Sequence, residues 1–276
     1  MGDVLDQILF SKQNKRYHEI EDIAQTVSTL YSGSLMTRDG VFNTIRNYGR
    51  KNEQPIQILR YPFNDDELWA FTFLKGGTIF ICINTGLSLC KQFFATAHEF
   101  YHIYCFCEDQ DLNAIRNGSI LKGKTVDSVT TDQEEIEANA FAGLLLMPSK
   151  AVRDQIALLG INEKHISLDD VVILMDVFAI PYKACVLRLY ECGIVSAGKA
   201  RELYETEWNE VLAKIKLTGR AKRWQLDGSG TEQFGTLLED FLYNCEDENL
   251  VSTRERGDRE FISSLKERFH LDVEGT

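Results

Sequence analysis

Apolar residues recur along this chain in distinct rhythms, and each change of rhythm marks an element. Ile20, Ile23, Ala24, Val27, Leu30 and Tyr31 fall at offsets of three, four and seven, which predicts an amphipathic helix over about 15–32, ended by Gly33. A second short helix is expected over 38–48, with Val41, Phe42, Ile45 and Tyr48 turned inward. Between 55 and 85 the period shortens. PIQILRYPF, ELWAFTFLK and GTIFICIN are brief runs rich in Ile, Phe, Trp and Thr, parted by NDD and GG turn signals, and they read as a three-stranded antiparallel meander. Helical periodicity returns from Leu89 to Cys107. The polar stretch from Glu108 to Thr131 has no period and predicts a surface loop or lid. A further helix starts at Asp132 and ends at Met147, before Pro148.

From 149 onward the pattern is helical, with segments expected at 149–159, 167–178, Pro181 to Cys192 and 197–217. QLDGSGTEQ, at 225–233, reads as a linker. The fold class is therefore α+β: a small antiparallel three-stranded sheet packed on helices, followed by an all-helical C-terminal region. Three parts are expected, residues 1–150, a helix-turn-helix-like appendage at 151–224, and a C-terminal helical segment at 225–276 that carries no motif.

Composition narrows the setting. No apolar run approaches membrane-spanning length, and the first residues lack a basic start, an apolar core and a small-residue cleavage site. Seven cysteines, an odd number scattered from Cys82 to Cys245, fit reduced thiols in a cytoplasmic protein. A formal net charge of −12 argues against a surface built to hold nucleic acid. The one basic cluster, Lys214, Lys216, Arg220, Lys222 and Arg223 beside Trp224, reads as a solvated helix face.

The chemistry is concentrated in two helices. His98, Glu99 and His102 form an HExxH motif within apolar ATAHEFYHIYCF. Four residues are just over one turn, so both imidazoles leave the same helix face about 6 Å apart along the axis and can meet one Zn²⁺. Glu99 lies about 100° further round, beside the metal, where it can act as general base toward a bound water. A catalytic zinc needs a third ligand and an open position, and TTDQEEIEANAFAGLLLMP offers Glu134, Glu135 and Glu137. Thr131 and Glu134 match a capping box, which would turn Glu134 back onto the helix N-terminus. Glu135 has Asn139 one turn later on its own face, a fitting acceptor for the second ring N–H of a metal-bound histidine, whereas Glu137 projects between Phe141 and Leu144. The expected metal set is thus His98, His102 and Glu135, with Asn139 behind it. Zn²⁺ suits these donors best, while Mn²⁺ or Fe²⁺ could occupy the same site.

These residues resemble the ImmA/IrrE-type metallopeptidases of bacteria and their mobile elements. The likeness is carried by IFICIN, then KQFFATAHEFYH, then EIEANAFAGLLLMP, and spans about 55–150. It implies a compact thermolysin-like zincin core, a third zinc ligand at Glu135, and a helix-turn-helix transcriptional repressor as the partner that is cut or relieved. Tyr101 stands where the family has Gly, and Lys91 stands near its usual Arg. Residues 161–195 are similar to the family's helical appendage. As a DNA reader its second helix would offer only Lys183 and Arg188, so direct DNA binding is not expected.

The activity so implied is hydrolysis of a peptide bond in a protein lying extended beside the sheet. A non-cleaving protein that sequesters a repressor or toxin is the rival from another class, and a DNA-binding regulator with a vestigial metal fold is a third. Cys105 and Cys107 point to nearly opposite sides of a helix and read as core packing. His18, His165 and His270 read as surface residues, and no residue stands out as the group that stabilises the oxyanion.

Overall fold

The computed structural model describes residues 5, 15–34, 36–109, 120–122, 133–226 and 228–236. Most of the expected loop at 108–131, Thr131 with its capping role, His270 and the segment beyond 236 lie outside the described residues. The chain divides into two compact units, Met1–Gln233 and Phe234–Thr276, and the architecture below is that of the first.

Helix α1 spans Lys15–Val27 and runs into a π-helical turn at Ser28–Ser32, closed by Gly33 in the left-handed conformation. A 3₁₀ turn at Arg38–Gly40 leads into α2, Val41–Lys51. Three strands follow, β1 at Ile56–Tyr61, β2 at Leu68–Lys75 and β3 at Thr78–Asn84, and a short β4 at Ile120–Lys122 joins later. The fold class is mixed α+β as expected, but the strand order is β1-β3-β2-β4, and β1 runs parallel to β3. A pure antiparallel meander is therefore not what the chain forms. The reason lies in β3, where every residue from Ile79 to Asn84 is buried. A strand apolar on both faces belongs in the middle of a sheet, while β1 and β2, each with half-exposed positions, flank it. Only β2–β3 is a hairpin, turned by Gly76 and Gly77, both at positive φ as the tight two-residue connection requires.

At the end of β3, fully buried Asn84 ties the sheet's loops together. Its Oδ1 accepts from the backbone N–H groups of Phe63 and Gly86, both at 3.0 Å, and its Nδ2 donates to the carbonyls of Asp65 and Leu68, both at 2.9 Å. This fixes the corner from which helix α3, Leu89–Asp109, departs across the sheet. Helix α4, Gln133–Leu146, packs on α3 and on α1. The residue between the two motif histidines explains part of that packing: the Tyr101 hydroxyl donates to Glu137 Oε2 at 2.7 Å and accepts from Arg16 at 3.1 Å, while Arg16 also donates to Glu137 at 3.2 Å. The tyrosine thus clamps α1, α3 and α4, a packing role that a glycine could not fill.

The remaining helices are α5 (Ser149–Leu159), α6 (Leu168–Phe178), α7 (Tyr182–Glu191), α8 (Ala197–Tyr204), α9 (Trp208–Thr218) and the single turn α10 (Lys222–Gln225). Ser167 and Asp170 form a capping box at the start of α6. The helix expected over 197–217 is two, broken at Glu205–Glu207. The Tyr182 hydroxyl donates to the Leu203 carbonyl at 2.5 Å, which draws the end of α8 onto α7, and the chain restarts at Trp208.

Arg188, a conceivable DNA contact by sequence, is 2% exposed and faces the core. It donates to the Met147 carbonyl at 3.1 Å and to the hydroxyls of Tyr17 and Ser149 at 3.0 Å, and it pairs with Glu191. The basic cluster is also accounted for locally: Lys214 pairs with Asp169 at 2.9 Å, Arg220 lies 3.9 Å from Asp176, and Arg223 stacks on Trp224. Among the described residues no helix is long and apolar enough to cross a membrane.

The glycine-containing stretch read as a linker is docked on the sheet from Gly228 to Gln233. Arg60 and Gln233 exchange two backbone hydrogen bonds of 2.8 Å, Gly230 N–H donates to the Thr85 carbonyl at 3.1 Å, and Thr85 Oγ1 donates to the Thr231 carbonyl at 2.9 Å. A Cβ at Gly228 would come within 2.8 Å of the Gly86 and Thr85 carbonyl oxygens, so only glycine fits this approach.

Candidate metal centre

Helix α3 is buried on nearly all sides, with His98 and Glu99 fully covered and His102 7% exposed. Its one-turn spacing sets the two imidazoles edge to face with their Nε2 atoms 3.2 Å apart. The Glu135 carboxylate comes from the first turn of α4, with Oε2 3.2 Å from His98 Nε2 and Oε1 3.4 Å from His102 Nε2. The structure therefore brings His98, His102 and Glu135 together as a group whose ligand atoms all lie within 4.8 Å of one another.

The outer nitrogens decide what this group can hold. His98 Nδ1 lies 2.9 Å from Asn139 Oδ1, and His102 Nδ1 lies 3.0 Å from Glu134 Oε1. Both partners are acceptors, so each Nδ1 carries the ring proton and each Nε2 turns a lone pair inward. Two nitrogen lone pairs and a carboxylate then converge, with buried Glu135 Oε2 only 3.2 Å from His98 Nε2, so that acceptor atoms face one another. Such a set is unfavourable unless a cation sits among its members. The local electrostatics agree. Burial alone would lower the His102 pKa, yet the hydrogen bond with Glu134 and the charges of Glu99, Glu135 and Glu134 outweigh it and hold the ring above its ordinary value. Burial would raise the Glu135 carboxyl, but the two histidines hold it below the usual carboxylate range. The donor set, two imidazole nitrogens and a carboxylate within reach of one point, fits a divalent ion.

Glu99 points from α3 toward the sheet, where Thr72 Oγ1 of β2 donates to its Oε2 at 2.6 Å. Asn139 lies where the helical-face reading puts it. Glu134 Oε1 lies on His102 Nδ1, the side away from the convergence point, so this residue supports a histidine, while its capping partner Thr131 lies outside the described residues. Thr72, distant in sequence from the motif, had no signal of its own. Glu137 is engaged by Tyr101 and Arg16 and stays out of the group.

Peptidase_M78, the IrrE N-terminal-like domain, covers residues 51–190, just over half of the chain. The chain belongs to this family. Membership in Peptidase_M78 brings a metallopeptidase-type function and agrees with the metal-holding group found in the fold. No curated protein matches the chain. Within the matched span, Lys91 stacks over the Trp69 ring at 4.7 Å and faces a separate cavity of about 760 Å³ bounded also by Tyr182, Tyr204 and Trp208. Cys105 and Cys107 are half-buried against the core, and burial with the nearby Glu99 charge pushes the Cys82 thiol up to about 12. His18 and His165 are exposed, away from the group.

Proposed function

We propose that this member of Peptidase_M78 is a zinc-dependent metalloendopeptidase with a minimal thermolysin-like zincin core. The observation that carries the reading is the inward convergence of two histidine lone pairs and the Glu135 carboxylate, with buried Glu99 next to His98 on the same helix. His98, His102 and Glu135 are the ligands, and Asn139 and Glu134 orient the two rings through their Nδ1 protons. Bound there, zinc supplies Lewis acidity toward water and the scissile carbonyl.

The chain's own residues do the proton work. Glu99 takes a proton as the water oxygen attacks the carbonyl carbon, then delivers it to the amide nitrogen as the C–N bond breaks, leaving a carboxyl group and an amine. Substrate placement follows from the sheet. A substrate segment lying extended beside the sheet would run near β2, whose Thr72 contacts Glu99.

The family likeness supports a helix-turn-helix transcriptional repressor as the substrate, and the odd cysteine number supports a cytoplasmic setting. The test incubates the zinc-loaded protein with candidate helix-turn-helix repressors and looks for fragments by mass spectrometry. Zinc-dependent fragments that vanish with Glu99→Gln are expected. A stable complex in which both proteins stay intact would favour sequestration without cleavage.

A further inference from the structure

Thr72 is buried on the face of β2 that packs against α3, a position where a β-branched apolar residue would pack equally well without a hydroxyl to satisfy. Its hydroxyl donates to Glu99 Oε2 at 2.6 Å, a short hydrogen bond. A carboxylate that turns about its last torsion exchanges its two oxygens. One fixed donor on Oε2 removes that freedom and holds the other oxygen in one place relative to the histidine pair.

We infer that Thr72 is a positioning residue for Glu99: it fixes the carboxylate's rotation so that the same oxygen, Oε1, always receives and returns the proton. This rests on the reading of Glu99 as the base. It adds a requirement from the sheet that the HExxH motif does not contain, because a side chain of β2 orients the base.

Acetohydroxamate binding to the zinc-loaded protein, followed by calorimetry, tests this without a known substrate, since the hydroxamic acid shares its proton with the neighbouring carboxylate as it chelates the metal. Thr72→Val, which keeps the shape and removes the donor, is expected to bind about ten- to a hundredfold more weakly at unchanged zinc content. Thr72→Ser is expected to bind within a few-fold of wild type. In a Glu99→Gln background, Thr72→Val is expected to change nothing further, the non-additivity of two residues acting through one contact. Should the valine variant fail to load zinc, Thr72→Ala gives the same comparison. Equal affinity in Thr72→Val and wild type, or an equal loss in the Glu99→Gln background, overturns the inference. A wild-type protein that takes up no zinc, or binds the hydroxamate no better than Glu99→Gln, instead overturns the reading of the site.

Discussion

At the residue scale, what was legible depends on whether one helix fixes the geometry. His98 and His102 stand about one turn apart on one helix, as do Glu135 and Asn139 on another, so periodicity alone puts each pair on a shared face and Glu99 about 100° from the first. Glu134 escaped because its role depends on how α4 lies against α3, which local spacing does not encode. Two predictions belong here. Glu99→Gln keeps the metal and lowers turnover by about 10²–10⁴-fold, read by metal analysis beside fragment formation. Asn139→Ala and Glu134→Ala each weaken metal affinity by about 10–100-fold, read by competition with a chromophoric chelator. Glu134→Ala retaining full affinity would mean that the His102 contact is incidental.

Elements were easier to find than to arrange. The spacing yields β1, β2 and β3 and most helices to within a residue or two, because each is a run of consistent period. The parallel pairing of β1 with β3 was not legible from turn signals, which speak only for neighbours in sequence. The doubly buried pattern of TIFICIN fits a central strand covered on both faces, but it does not set the direction of β1 beside it. The α1–α3–α4 clamp likewise depends on side chains far apart in sequence. Tyr101→Phe removes its hydrogen bonds to Glu137 and Arg16 while sparing the ring packing, and should cost about 1–3 kcal/mol in urea unfolding with metal stoichiometry unchanged. A variant as stable as wild type would assign the contact between these helices to apolar packing alone.

Over the whole molecule, the helices beyond α4 and the 228–233 strap are joined to the metal-bearing core by buried polar contacts. Composition and linker signals suggest separable parts, but a single side chain, Arg188, spans the α4–α5 junction, α1 and α7. Arg188→Ala leaves Glu191 buried without its cation and should destabilise the unit by about 3–5 kcal/mol, visible as a shifted denaturation midpoint. Gly228→Val, with no room for a Cβ, should loosen the strap and lower stability by about 1–3 kcal/mol. On the proposed reading α3 and α4 together supply one cation site, and metal content per chain is its readout. After zinc loading and removal of excess, one zinc per chain is predicted for wild type and for Glu99→Gln, with none for His98→Ala or Glu135→Ala. A wild-type chain without zinc, or a Glu135→Ala chain that holds it as tightly as wild type, would contradict the account.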